Sequence, residues 1–125
     1  MKIIRNNIIP FTGFKAINLF GILFVKNNAK IDDVTINHEA IHSRQFVELM
    51  VLFAVATVFI RWWLPVFAPF AFYAWYFLEW LVRLIQYRNF DKAYRNISFE
   101  REAYTHQGDF SYLKGRGWFN FLKYL

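Results

Sequence analysis

Residues 32–64 read DDVTINHEAIHSRQFVELMVLFAVATVFIRWWL, with no proline or glycine among them. Asp32 and Asp33 suit a helix N-terminus, because a carboxylate there accepts hydrogen bonds from free backbone N–H groups and faces the positive end of the helix dipole. From residue 46 to residue 60, all but two side chains are apolar. The stretch therefore predicts one long helix with a polar beginning and a strongly apolar second half.

A second apolar segment follows directly. Residues 65–87 read PVFAPFAFYAWYFLEWLVRLIQY, in which Pro65 and Pro69 mark a turn and the first turn of a new helix. Since roughly 20 helical residues cross a bilayer core of about 30 Å, both segments come close to a membrane span. The sequence predicts a transmembrane hairpin of two helices, at roughly 44–64 and 66–87.

Composition and charge agree with a membrane location. The chain has 125 residues, 57% hydrophobic and 22% aromatic, and so short a chain has too little interior to bury them all. The net charge is +6, yet the basic residues flank the apolar middle, and Arg61 is the only one between Gln45 and Val82. This distribution follows the positive-inside rule, places both termini in the cytoplasm and argues against a nucleic-acid partner. We expect an integral protein of a bacterial inner membrane, in contact with lipid.

Two buried helices of a soluble bundle are the alternative to the membrane hairpin. Glu48, Glu79 and Arg83 favour the bundle, because ionisable groups are costly in lipid. Glu79 and Arg83, however, are four residues apart and can pair on one helix, and Arg83 can extend toward the basic flank. Length and hydropathy favour the hairpin.

The segment before the hairpin predicts β structure. Its β-branched and aromatic residues predict strands at residues 3–9 and 16–25. The second run does not alternate cleanly, so an interfacial segment buried on both faces is the alternative there.

The segment after the hairpin predicts helix. A short helix is expected at residues 99–106, capped by Asn96 or Ser98 and ended by Gly108. Residues 118–125 carry aromatic and lysine side chains that suit docking at a membrane surface. The predicted fold is a mainly α membrane protein in a single domain, residues 1–125, with a short N-terminal β segment and a C-terminal helical segment.

Residues 38–42 read HEAIH and match the pattern HExxH. A spacing of four places His38 and His42 on one helix face, where two neutral imidazoles can bind one Zn²⁺. Glu39, next to the first of them, can hold and deprotonate a water at the metal. The chain has no cysteine, which excludes thiolate zinc sites, cysteine nucleophiles and disulfides. A catalytic zinc takes three protein ligands and keeps one open position, so a third ligand must come from elsewhere.

The candidates for the third ligand are Glu100 and Glu102 in the segment FEREAY, residues 99–104. Together with HExxH, this segment resembles the gluzincin metallopeptidases, in which a Glu on a later helix completes the zinc site. Membrane-embedded members, of the CaaX-processing and antirepressor-receptor types, often carry it in a Glu-x-x-Ala-Asp pattern. The resemblance implies Glu100 as the ligand and covers the two motifs, their order and the hairpin between them. The family's Asp, which orients a His ligand, is replaced by Tyr104, which offers a hydroxyl without a charge.

Further side chains are candidates for stabilising an oxyanion. His106, the one histidine outside the motif, can do so, although a surface histidine after a helix is the commoner case. Tyr94 and Tyr104 are alternative donors. The strand predicted at 16–25 can bind an extended peptide at its edge, the binding mode that the gluzincin resemblance implies.

The sequence therefore indicates a very small membrane-embedded zinc metallopeptidase that hydrolyses a peptide or protein substrate near the cytoplasmic membrane face. Glu39 is the expected general base, and zinc polarises the scissile carbonyl. One alternative is a catalytically silent module that holds the metal for sensing or partner recruitment. Another is a basic membrane-surface protein without a metal, whose charges attract anionic lipid. A di-iron membrane hydroxylase is excluded, because three histidines cannot supply its ligands.

Overall fold

The computed structural model describes residues 1–9 and 15–125, which form a mainly helical fold with a small three-stranded sheet near the N-terminus. The predicted predominance of helix and the N-terminal β segment are confirmed. In chain order the elements are strands β1 (Lys2–Asn6), β2 (Ala16–Leu19) and β3 (Ile22–Lys26), helix α1 (Asp33–Val58), a first 3-10 helix (Leu64–Phe70), helices α2 (Ala71–Tyr87), α3 (Phe90–Arg95), α4 (Ser98–His106) and α5 (Tyr112–Gly115), and a second 3-10 helix (Asn120–Tyr124).

The sheet has the strand order β1-β3-β2, with β1 parallel and β2 antiparallel to β3. The first strand, predicted at residues 3–9, is found as β1. The single strand predicted at residues 16–25 is wrong, because the chain reverses in the middle and forms a hairpin with Leu19 opposite Ile22. This hairpin leaves β2 as an edge strand.

The reversal depends on two residues with positive φ, Phe20 at 52° and Gly21 at 76°. Two such residues form the type I′ turn that best connects twisted antiparallel strands. Glycine adopts this conformation freely, whereas phenylalanine needs tertiary support. That support comes from α2: the Phe20 N–H donates to Tyr73 Oη at 2.7 Å, and the Phe20 and Tyr73 rings meet edge to face.

Helix α1 begins where the sequence predicts. The Asp32 carboxylate accepts a hydrogen bond from the Thr35 N–H at 2.8 Å and caps it. The helix ends at Val58, however, so the segment predicted at 44–64 is too long at its C-terminal end. The Ile60 and Arg61 N–H groups both donate to the Thr57 carbonyl, so the chain turns tightly there and does not continue the α-helix.

The second predicted membrane helix, at 66–87, is only partly found. Residues Leu64–Phe70 form a 3-10 helix, with Pro69 inside it, and α2 begins at Ala71 and has 17 residues. Proline lacks the N–H that a regular α-helical turn would use, so the two prolines delay the helix. Within the part of the chain that the structure describes, α1 is the one helix long and apolar enough to cross a membrane.

The C-terminal helix is found as α4, one residue earlier than predicted. Its predicted side-chain caps are wrong, since Ile97 occupies the cap position and Ser98 is the first helical residue. Glu79 of α2 replaces them by accepting hydrogen bonds from the Ser98 N–H at 2.8 Å and the Ser98 hydroxyl at 2.6 Å. Helix α3, which the sequence reading missed, begins at Asn89, whose side chain accepts from the Lys92 N–H.

The two halves of α1 have different surroundings. Its first half is covered by β2 and by α4, and Phe99 of α4 and Phe121 of the C-terminal segment are buried in the core beside it. Phe121 therefore points inward, while Trp118 and Leu122 of the predicted membrane-docking segment 118–125 remain exposed. The second half of α1 and the segment after it form the apolar tip, whose exposed large side chains are Val47, Val51, Leu52, Val55, Val58, Phe59, Ile60, Trp62, Trp63, Val66, Phe67 and Phe70.

Candidate metal centre

The two motif histidines lie one turn apart on the buried face of α1. The Nε2 atoms of His38 and His42 are 3.0 Å apart, and each residue is only 8% exposed. The i, i+4 spacing explains this proximity, because such residues are neighbours on a helix surface.

Helix α4 brings Glu100 to the same point. Its Oε2 lies 3.3 Å from His38 Nε2, and its Oε1 lies 3.2 Å from His42 Nε2. Donor atoms bonded tetrahedrally to zinc at about 2.0–2.1 Å lie about 3.3 Å from one another. The three side chains are thus already spaced as the protein ligands of one zinc ion, although a metal of another identity fits the same geometry.

Hydrogen bonds on the far side of His42 determine which ring nitrogen faces the cluster. Its Nδ1 lies 2.8 Å from Gln45 Oε1, and Gln45 Nε2 donates to Glu102 Oε2 at 2.8 Å and to the Phe99 carbonyl at 3.2 Å. These two acceptors assign the Gln45 amide orientation, so its Oε1 must accept from an N–H on Nδ1. In the neutral ring, Nε2 then carries a lone pair.

His38 has the same arrangement on the other side. Its Nδ1 lies 3.0 Å from Gln107 Oε1, which also leaves Nε2 for the cluster. Among the described residues, Glu100 Oε2 is buried without a hydrogen-bond partner. Two imidazole lone pairs and a carboxylate oxygen therefore converge, and they need a proton or a metal cation between them to avoid repulsion.

The Glu100 carboxylate is held in place and ionised. Tyr76 Oη donates to its Oε1 at 2.7 Å, and the Glu79 cap holds the start of α4. Burial opposes ionisation, but a proton on His42, whose own pKa the Glu100 carboxylate raises to about 9, and hydrogen bonds from His38, His42 and Tyr76 outweigh it and bring the pKa of Glu100 below its usual range. Without a metal, this proton is the cation between the three side chains.

Glu102, the rival for the third ligand, lies elsewhere. It accepts from Arg116 Nη2 at 3.0 Å and from Tyr112 Oη at 2.7 Å, and Arg116 also binds Glu48 in the same buried cluster. Burial raises the pKa of Glu102, but hydrogen bonds from Arg116, Tyr112 and Gln45 prevail and lower it. The structure thus brings Glu100, and not Glu102, to the two histidines.

Glu39 borders a cavity that reaches the cluster. This cavity, of about 460 Å³, is lined by β2, by His42 and Glu100 of the cluster, and by aromatic side chains of α1, α2 and α3. Its opening gives a water or a substrate access to the side of the cluster that the protein does not fill. Glu39 therefore borders the same cavity as His42 and Glu100.

The predicted oxyanion donors are placed differently from one another. Tyr94 lines the cavity, and burial raises its pKa, so its hydroxyl keeps the proton that a donor needs. The Tyr104 ring packs edge to face on His38, with centroids 4.7 Å apart. His106 is not brought to the cluster, because its ring stacks on Tyr112 and its Nε2 lies 2.6 Å from Tyr124 Oη.

Sequence reasoning missed the residues that hold the ligands. Gln45 follows His42 by three positions on a predicted helix, so the helical period could have revealed it. Gln107 Oε1 is the acceptor beside His38 Nδ1. In the motif that this segment resembles, a charged Asp has this role, and Tyr104, which stands in its place, has no charge. Tyr76 and Glu79 lie on α2, and the sequence pattern around them does not indicate that they contact α4.

No protein-family model, curated protein or solved structure matches this chain. The geometry of the site therefore carries the functional argument by itself.

Proposed function

We propose that this chain is a membrane-embedded zinc metallopeptidase, similar in its ligand set to the gluzincins. The observation that carries the proposal is the convergence of His38 Nε2, His42 Nε2 and a Glu100 carboxylate oxygen, where Glu100 forms no ion pair with a lysine or arginine among the described residues. Glutamine amides fix both rings with Nε2 inward, which is how metal-binding histidines are usually oriented.

Zinc is the metal that this set of donors favours. Two imidazoles and one carboxylate are the ligand set of catalytic zinc sites with an open fourth position. When bound, zinc supplies Lewis-acid chemistry, polarising a carbonyl oxygen and making a water acidic enough to act as a nucleophile near pH 7.

Glu39 and Tyr94 provide the remaining chemistry. The Glu39 carboxylate accepts a proton from the attacking water and passes it to the leaving amine, the role of a general base that then acts as a general acid. The Tyr94 hydroxyl, which borders the same cavity, donates toward the developing oxyanion. The Tyr104 ring packs on His38 and restricts its motion.

The free edge of β2 is the binding site for the substrate backbone. In the observed register, Ile17 and Leu19 exchange backbone hydrogen bonds with β3, so the N–H and C=O groups of Ala16 and Asn18 point outward. Asn18 Nδ2 also donates to the Glu39 carbonyl at 2.8 Å and attaches the strand to α1 beside the catalytic groups. An extended peptide added to this edge lies across the cavity mouth.

The apolar tip is the part that enters the membrane. Apart from Arg61, its exposed side chains are aliphatic and aromatic, and the 3-10 helix returns the chain along α1 toward the site. A re-entrant or spanning hairpin of this kind keeps both termini and the metal centre on the cytoplasmic side of a bacterial inner membrane.

The test compares purified wild-type protein with the variants Glu39→Gln and His38→Ala in lipid nanodiscs. Metal content is measured by plasma mass spectrometry and hydrolysis with internally quenched peptides. We expect about one zinc per chain in the wild type and in Glu39→Gln, little zinc in His38→Ala, and hydrolysis in the wild type only. Loss of a general base typically lowers the rate about 100- to 10,000-fold.

Two outcomes contradict the proposal. Undiminished hydrolysis by zinc-loaded Glu39→Gln would refute the mechanism. A wild type that holds zinc and cleaves no peptide would instead favour the silent metal-binding module.

A further inference from the structure

A second cavity, of about 500 Å³, adjoins the one beside the metal centre. The two share Ala16 and Glu39 as lining residues, so they adjoin at these residues. The two adjoining cavities are called the groove below.

The two ends of the groove differ in chemistry. Phe46, Phe72 and Tyr73 line one end, which is therefore apolar. Lys15 and Lys30 line the other end, and neither forms an ion pair within the part of the chain that the structure describes. Asp32 borders that end as well, but its carboxylate caps α1 by accepting from the Thr35 N–H.

The direction of β2 orients a bound peptide. The strand runs from Ala16, which borders both cavities, to Leu19, which borders only the apolar one. A peptide that pairs antiparallel with β2 has its N-terminal part over the apolar end and its C-terminal part over the lysines. Antiparallel pairing is slightly more stable per residue than parallel pairing, which favours this direction.

We infer that the groove selects peptides with an apolar side chain before the scissile bond and a carboxylate after it, the carboxylate being recognised by Lys15 and Lys30. This inference rests on the proposed function. An acidic side chain and a free C-terminus both supply the carboxylate.

Binding tests the inference without requiring turnover. The zinc-loaded Glu39→Gln variant is titrated with fluorescent peptides that share a Phe-Phe segment followed by Asp, Asn or Lys, all amidated at the C-terminus. A fourth peptide has Asn and a free carboxyl terminus. Anisotropy gives each affinity, and the Asp and free-carboxyl peptides separate the two sources of the carboxylate.

We expect one or both carboxylate peptides to bind about 3- to 10-fold more tightly than amidated Asn, and the Lys peptide to bind more weakly, since exposed charge pairs contribute little each. The preference should shrink as salt rises. Adding Lys15→Glu and Lys30→Glu should reverse the order. Lys2→Glu combined with Lys114→Glu is the matched control, because it makes the same charge change on β1, which β3 separates from β2, and on α5, which lines neither cavity.

An unchanged order in the double lysine variant, equal affinities, or no binding of any peptide would each overturn the inference. If the lysine variant reverses the order of affinities but the wild type cleaves no peptide, the peptide selectivity of the groove is supported and the proposed peptidase activity is contradicted.

Discussion

Glu100 and Glu102 are two residues apart on α4 and have opposite surroundings. Two positions correspond to about 200° around a helix, so their carboxylates point to opposite sides. Glu100 faces His38 and His42, while Glu102 faces Arg116. The pair therefore offers a matched comparison of a metal ligand with a structural carboxylate.

We predict that Glu100→Gln and Glu102→Gln have different defects. Glu100→Gln should lower zinc affinity by at least about 100-fold, more than changes outside the ligand set usually do, and should destabilise the metal-free protein less than Glu102→Gln does, because His42 can lose its proton whereas Arg116 cannot. Glu102→Gln removes a charge from a buried ion cluster and should lower the free energy of unfolding by roughly 2 kcal/mol or more. Competition with a chelator and thermal unfolding of the metal-free protein separate the two effects. If Glu102→Gln loses zinc while Glu100→Gln keeps it, the ligand assignment is wrong.

At this scale, sequence reasoning found the residues whose pattern is local. His38, Glu39 and His42 follow from spacing on one helix, and Glu100 from its resemblance to a known motif. The glutamines that orient the rings, Gln45 and Gln107, were missed, because only their contacts to the histidine Nδ1 atoms in the folded chain distinguish them from other glutamines. His106 was expected in the site because histidine is rare in the chain, but its contacts to Tyr112 and Tyr124 hold it elsewhere.

The edge strand β2 is the element at which we propose that a peptide substrate binds. Its outward backbone groups at Ala16 and Asn18 have no partner among the described residues, while its side chain at Asn18 holds it on α1. Proline is tolerated at an edge position whose N–H faces away from the sheet.

We predict that Ala16→Pro weakens peptide binding by about 3- to 10-fold, since it removes one N–H that donates to the peptide. Zinc content and unfolding temperature should stay close to wild type, because the ladder to β3 uses the neighbouring residues. Ala16→Ser keeps the N–H and is the control. Equal peptide affinity in the two variants, measured by anisotropy with zinc-loaded protein, would exclude the strand edge as the binding site.

Element boundaries could be predicted where one residue determines them, as Asp32 does for α1. The predicted boundaries were wrong where a contact between residues distant in sequence determines the local structure. The turn at Phe20 needs Tyr73 of α2, so an apolar run looked like one strand. The prolines at 65 and 69 were recognised as a turn, but the run around them is apolar throughout, and hydropathy does not distinguish a 3-10 helix from an α-helix.

The whole molecule is divided into a polar part with the metal centre and the apolar tip. Two of the charged groups that argue against a membrane location, Glu48 and Glu79, are buried and form ion pairs within the protein, whereas Arg61 at the tip is exposed. In a membrane, these two carboxylates would therefore not face lipid. Composition predicted an exposed apolar surface, and the tip shows one. Where this surface ends and the candidate site begins could not be predicted, because it depends on the packing of α4 on α1.

The absence of cysteine allows this division to be tested with single-cysteine variants. Val55 and Phe59 of the apolar tip are 58% and 89% exposed, yet Val55→Cys and Phe59→Cys should resist a water-soluble maleimide in membranes, because lipid covers them. Lys114→Cys, exposed on the polar part, should react and is the control. Lys2→Cys and Lys123→Cys should react from the same side of sealed vesicles, since the proposed topology places both termini on the cytoplasmic face. Labelling of the termini from opposite sides, or of Val55→Cys as fast as Lys114→Cys, would show that the tip is not the membrane-embedded part.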